Sequence, residues 1–237
     1  MEKIYTIPVN ESFDECAADH SLGCPFCRLH DRLEDSELDL ILGASMMEPD
    51  VRQKTNALGF CHDHYDKMCV RKNRLGLALM LESHLDAVRS AMESGGLTGL
   101  LRPAGASASE RINKLGETCY VCGLVDYSLT KMIENAVFLW ETDFGQRQNP
   151  FEEKIKKQPF FCLPHYRSLI ECGREQINKK KFPAFHTVVT AVTTAYFDEL
   201  RGDISRFTKK FDYRYENEPW GNSKNAIERA IIFLKGK

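Results

Sequence analysis

A four-residue spacing of metal-type ligands occurs twice along this chain, and it limits the possible folds more than any other feature. The first copy reads Cys24-Pro25-Phe26-Cys27 and, after 33 intervening residues, Cys61-His62-Asp63-His64. The second reads Cys119-Tyr120-Val121-Cys122 and, after 39 residues, Cys162-Leu163-Pro164-His165. Each copy is therefore CxxC followed by CxxH. The flanks also agree, with Phe60 and Phe161 before the CxxH cysteines and Tyr65 and Tyr166 after the histidines. Motif starts lie 95 and 101 residues apart, which reads as an internal duplication. The period is too long for a solenoid.

Thiolate and imidazole are the ligands that tetrahedral zinc takes in sites filled entirely by protein. The ligand set read from the spacing is Cys24, Cys27, Cys61 and His64 for one ion, and Cys119, Cys122, Cys162 and His165 for the other. His62 also lies beside Cys61, but the second copy offers only its fourth position, so register selects His64. Small buried hydrophobes are the ordinary fate of single free cysteines; two matched CxxC/CxxH pairs are hard to ascribe to packing. Zinc, two ions per chain, is the expected cofactor, and an iron–sulfur cluster on the same ligands is the alternative. Neither CxxC is followed by histidine, so nothing supports covalent haem attachment.

Nine cysteines, an odd number, fit poorly with a closed disulfide set. The opening residues lack the apolar core of a secretion signal, and no run approaches the length needed to span a bilayer. The chain is therefore expected in a cytoplasm, where thiols persist. Of the remaining cysteines, Cys69 and Cys172 are expected to be buried in helices, and Cys16 with His20 makes an isolated CxxxH spacing.

Apolar periodicity predicts an all-α fold of duplicated, zinc-stapled helical units with a C-terminal helical extension. The expected domains are a first repeat over 1–97, a linker over 98–112 rich in Gly, Ser and Ala, and a second repeat with its extension over 113–237. Residues 1–15 read as an irregular arm. A helix follows Cys27 through Leu33, Leu38, Ile41 and Leu42. Another starts at Pro49, where proline suits a first turn, and stops near Gly59. One long helix is expected from His62 to about Glu93, with Leu75, Leu79, Leu85, Val88 and Met92 inward. In the second half, helices follow Cys122, Asn149 and His165. Residues 184–211 are β-branched in part, but their helical spacing over 25 residues favours a helix. A closing helix from about Ser223 is expected to turn Ala226, Ile227, Ala230, Ile231 and Leu234 inward.

With CPFC, GFCHDH, FFCLPH and KFDYRYENEPWG all present, the chain resembles an uncharacterised bacterial family catalogued as a domain of unknown function. That resemblance implies a bacterial, cytoplasmic origin and metal ligation at the motif cysteines, and it implies no activity.

Three functions remain on residue grounds. A filled Cys3His site leaves no open coordination position, which points to a non-catalytic interaction or regulatory module with a protein partner. Nucleic-acid binding would draw on Lys179, Lys180 and Lys181, and on Arg206, Lys209, Lys210 and Arg214 among aromatics. The formal charge of −2 opposes it, and each filled three-thiolate site adds a further negative charge. A metal-dependent enzyme or redox sensor is the third. A ligand or surface site could form from Asp212, Arg214, Glu218 and Trp220, with Trp140, Glu141 and Asp143. No nucleophile–base arrangement, phosphate loop or HExxH accompanies them, so a structural clamp is the preferred reading of this segment.

Overall fold

The structure, a computed structural model, describes residues 3–93, 109–110, 112–113, 117–145 and 149–236. Helices and turns account for the described residues, and no strand occurs among them. The α-helices are α1 (Thr6–Ala18), α2 (Pro25–Leu42), α3 (Pro49–Leu58), α4 (His62–Val70), α5 (Arg74–Glu93), α6 (Tyr120–Asp143), α7 (Pro150–Lys156), α8 (Leu163–Gln176), α9 (Phe182–Lys209) and α10 (Ala226–Lys235). The linker expected over 98–112 lies almost wholly outside the described residues.

The chain forms two compact units, but not the consecutive halves 1–97 and 113–237. One unit is Met1–Asp31 with Leu129–Lys237, and the other is Arg32–Ser128. Both boundaries fall inside helices, α2 and α6. At 1.5 Å per residue, the 18 residues of α2 extend about 27 Å and the 24 of α6 about 36 Å.

In the first unit α9 packs against α7, α8 and α10. Its 28 residues confirm the helix read over 184–211 despite the β-branched run. The core is aromatic: Phe13 meets Phe26 edge-on at 5.5 Å and Phe151 at 5.1 Å, and Trp140 meets Phe185 at 5.1 Å. α8 approaches α9 closely at Gly173, where an added Cβ would lie 2.6 Å from the Phe185 ring. Residues 3–15 do not form the irregular arm expected over 1–15. They supply α1, whose Val9, Ser12, Phe13 and Cys16 form a buried stripe, and Pro8 is tolerated because it falls in the first turn. The closing helix forms, but with a rotated face. Phe233 is buried against Phe160 and Tyr196, leaving Ile227, Ile231 and Leu234 about half exposed. One large aromatic outweighs three aliphatics in choosing the face.

In the second unit Leu38, Ile41, Leu42, Met68, Leu77, Met80, Val121 and Val125 make the core. The single helix expected over 62–93 is broken at residues 71–73. Asn73 causes the restart: its Oδ1 accepts from the Gly76 amide at 2.8 Å, an N-cap bond, while its Nδ2 donates to the Leu42 carbonyl. The restart shifts the inward register, so Gly76, Leu77 and Met80 are buried while Leu75, Leu85 and Met92 are exposed.

Candidate metal centres

All four motifs share one local design. Cys24, Cys61, Cys119 and Cys162 each stand immediately before a helix, and each carbonyl accepts from the amide four residues on, at 2.8–3.1 Å. The fourth motif residue then falls in the first helical turn. Ligands at these two places face the free amides of a helix N-terminus, and the positive end of the helix dipole favours thiolate there. The Cys122 amide, for instance, donates to Cys119 Sγ at 3.5 Å.

Two clusters result, each of three cysteines and one histidine, with ligand atoms all within 4.8 Å of one another. Their membership corrects the in-order pairing. Cys24 and Cys27 meet Cys162 and His165, while Cys61 and His64 meet Cys119 and Cys122. Each CxxC is joined to the CxxH of the other copy, so one site is nested inside the other along the sequence. The helices explain this. α2 starts at the first CxxC in one unit and ends in the other, so the CxxC and the CxxH of the first copy belong to different units. α6 likewise starts at the second CxxC in one unit and ends in the other.

The outer site, Cys24/Cys27/Cys162/His165, lies in the first unit. Cys27 and Cys162 sulfurs are 3.6 Å apart, and His165 Nδ1 is 3.1 Å from Cys162, 3.5 Å from Cys27 and 3.6 Å from Cys24. Its three cysteines are buried. Phe26 packs on the His165 ring at 5.8 Å. At the end of α10, Gly236 takes φ +81°, and a Cβ there would lie 3.7 Å from Cys162 Sγ and 3.8 Å from Cys27 Sγ. Burial drives the Cys24 thiol well up, whereas hydrogen bonds from Cys162 and Cys24 hold Cys27 well down as the thiolate acceptor.

The inner site, Cys61/His64/Cys119/Cys122, lies in the second unit. His64 Nδ1 is 3.0 Å from Cys61, 3.2 Å from Cys119 and 3.5 Å from Cys122, and the Cys61 and Cys122 sulfurs are 3.9 Å apart. Its cysteines are only partly buried. The loops carrying the motifs are clamped by Tyr120 N–H donating to Gly59 O at 3.0 Å and Thr118 Oγ1 to Leu58 O at 2.7 Å. Gly59, at φ +63°, makes the turn that permits this.

Behind the inner site stands Glu34, which sequence reasoning missed. Its Oε1 is 3.0 Å from His64 Nε2, and its Oε2 is paired with Lys67. This fixes the ring with Nε2–H donating to the carboxylate and Nδ1 turned to the sulfurs, the outer partner that metal-ligating histidines normally have. A signal was available: Glu34 is the single acid in a buried stripe that continues through Leu38 and Ile41.

The donor sets fit a tetrahedral metal. Sulfurs about 2.3 Å from one ion stand roughly 3.8 Å apart, with mixed sulfur–nitrogen edges slightly shorter. The observed sulfur pairs at 3.6 and 3.9 Å meet that test. His62 is exposed and paired with Asp66 at 3.2 Å, as its surface reading required. Cys16 is buried in the core and His20 exposed, and the two quartets are the metal-type groups found among the described residues. Cys172 is partly buried, but Cys69 is exposed, because its neighbour Met68 takes the inward position on α4.

The 212–220 segment forms a clamp. Asp212 caps the turn at Tyr213–Tyr215 and pairs with Arg214 at 2.6 Å. Lys210 donates to the carbonyls of Tyr215 and Glu218 and lies 5.4 Å from the Trp220 ring. These contacts occupy Lys210 and Arg214, two of the cations a nucleic-acid surface would use. Trp140 belongs elsewhere: it is fully buried, donates to Glu152 at 3.2 Å, and packs on Phe144 and Phe185. Glu141 accepts from the Asn178 amide.

A family model described as a family of unknown function, DUF6062, matches residues 1–237. No curated protein and no solved structure gives a significant match. No helix among the described residues is long and apolar enough to cross a membrane.

Proposed function

The chain belongs to DUF6062, a family of unknown function, and we propose that it is a zinc-stapled helical module with an interaction or regulatory role. The observation that carries this reading is the completeness of each quartet. Four protein donors converge on each centre, so a bound ion has no open position for a substrate. Cys24, Cys27, Cys162 and His165 would hold one ion, and Cys61, His64, Cys119 and Cys122 the other. The ions supply cross-links between segments far apart in sequence. A ligand spread within 4.8 Å favours a single ion over a four-iron cluster, whose terminal sulfurs stand roughly 6.5 Å apart. A protein partner and a cytoplasmic setting belong to the same reading.

Elemental analysis of the purified chain tests it. Two zinc atoms per chain are expected, with chelation causing loss of helical circular dichroism. Binding free energies of roughly 10–16 kcal/mol are typical of structural zinc and would make folding metal-dependent. Stoichiometric iron, or a fold unchanged after metal removal, would sink the proposal.

A further inference from the structure

Beside the outer site the first unit has a partly open cavity of about 650 Å³, a volume in the range of small-molecule sites. It lies between the turn at residues 20–23, the Gln158–Phe160 loop, α9 and α10, and Cys24 and Cys27 form part of its wall. We propose that this cavity binds a small organic ammonium ion, a cationic head on an apolar body.

The apolar half comes from Leu22, Ile232 and a stacked aromatic pair. Phe160 and Tyr196 lie with ring centroids 4.1 Å apart and planes within 17°. Aromatic rings attract cations through their negative faces.

Charge selects the sign of the ligand. The basic residues of the wall are His20 and Arg229, and Arg229 is already committed. One Nη donates to Asp203 at 2.6 Å and to the Asn222 carbonyl at 2.7 Å, and its Nε donates to Asn225 Oδ1 at 3.2 Å. Asp203 is itself buried, so the pair cancels locally. Glu199 reaches Arg229 only at 3.9 Å, and Glu228 makes no ion pair among the described residues. Both carboxylates line the cavity. A metal-loaded outer site with three thiolates would add one more negative charge to the same wall. An anionic ligand would meet two carboxylates and an occupied arginine. A neutral one would leave both carboxylates, which are exposed, without a counter-charge. An ammonium ion satisfies both the acids and the rings.

Isothermal titration calorimetry on the full, metal-loaded chain tests this, using phenethylammonium, with 3-phenylpropionate and 2-phenylethanol as the anionic and neutral probes. The expected result is saturable 1:1 binding of the ammonium alone. A Glu199→Gln/Glu228→Gln variant should bind at least about tenfold more weakly, which is the loss of about 1.4 kcal/mol. Ala195→Trp, on the α9 wall, should abolish binding by filling the space. Circular dichroism and metal content, measured on every variant, report separately on folding and on the zinc reading. Absence of saturable ammonium binding, equal binding of the carboxylate or alcohol, or unchanged affinity in Ala195→Trp would each overturn the assignment.

Discussion

Glu34 stands two helical turns beyond Cys27, yet serves the other metal centre by orienting His64. Glu34→Gln keeps the shape and removes the charge that holds the imidazole tautomer. Metal affinity at the inner site is expected to fall about 10–100-fold, read by competition with a chromophoric chelator, while the outer site is unaffected. Equal weakening of both sites would contradict the assignment. His64 also sets a pH dependence. Burial lowers its pKa below the usual 6.5, and Glu34 opposes this only in part. The unfolded chain therefore binds the additional proton first. Only the neutral imidazole ligates a metal, so metal retention at the inner site is expected to rise with pH through the window just below 6.5 and to fall as acid is added. Competition with a chromophoric chelator between pH 5 and about 7 checks the sign. At this scale all eight side chains of the two quartets were readable, because thiol and imidazole spacing is a chemical signature. The inward face of α10 was not, because the sequence does not say which of Ile227, Ile231 and Phe233 finds a waiting aromatic pair.

Helices were readable wherever a capping residue or proline marked a start, as at Pro49, Asn149 and Pro164. They were misread where the marker was a side chain reaching across space. Asn73 breaks the long helix through a bond to Leu42, a contact that periodicity cannot anticipate. The pairing of motifs was lost for a related reason: it depends on α2 and α6 each passing from one unit into the other, which motif spacing does not encode. Helix packing is exacting in turn. Because an added Cβ at Gly173 would press on the Phe185 ring at 2.6 Å, Gly173→Ala is expected to destabilise the protein by about 1–3 kcal/mol despite alanine's better helix propensity. Chemical denaturation would measure it, and a stabilised variant would show that α8 and α9 meet more loosely.

For the whole molecule, the nested arrangement makes a counting prediction. Cys24→Ser/Cys162→Ser removes two ligands of one site and should leave one zinc per chain. Cys24→Ser/Cys61→Ser removes one ligand from each and should leave none tightly held. Had the motifs paired in order, these two results would be exchanged. Elemental analysis after exhaustive dialysis distinguishes them directly. Each unit is built around one quartet, so loss of a single ion should melt one unit's helices while the other's persist in circular dichroism.

Nesting also orders events at the ribosome. Synthesis runs from the amino end, so Cys24 and Cys27 emerge first and must wait for partners more than 130 residues downstream. Meanwhile Cys61 and His64 appear, chemically able to capture the same ion in a premature knot. Cys119 and Cys122 arrive next and complete the quartet of Cys61 and His64. The first cysteines to be made are thus the last to be satisfied.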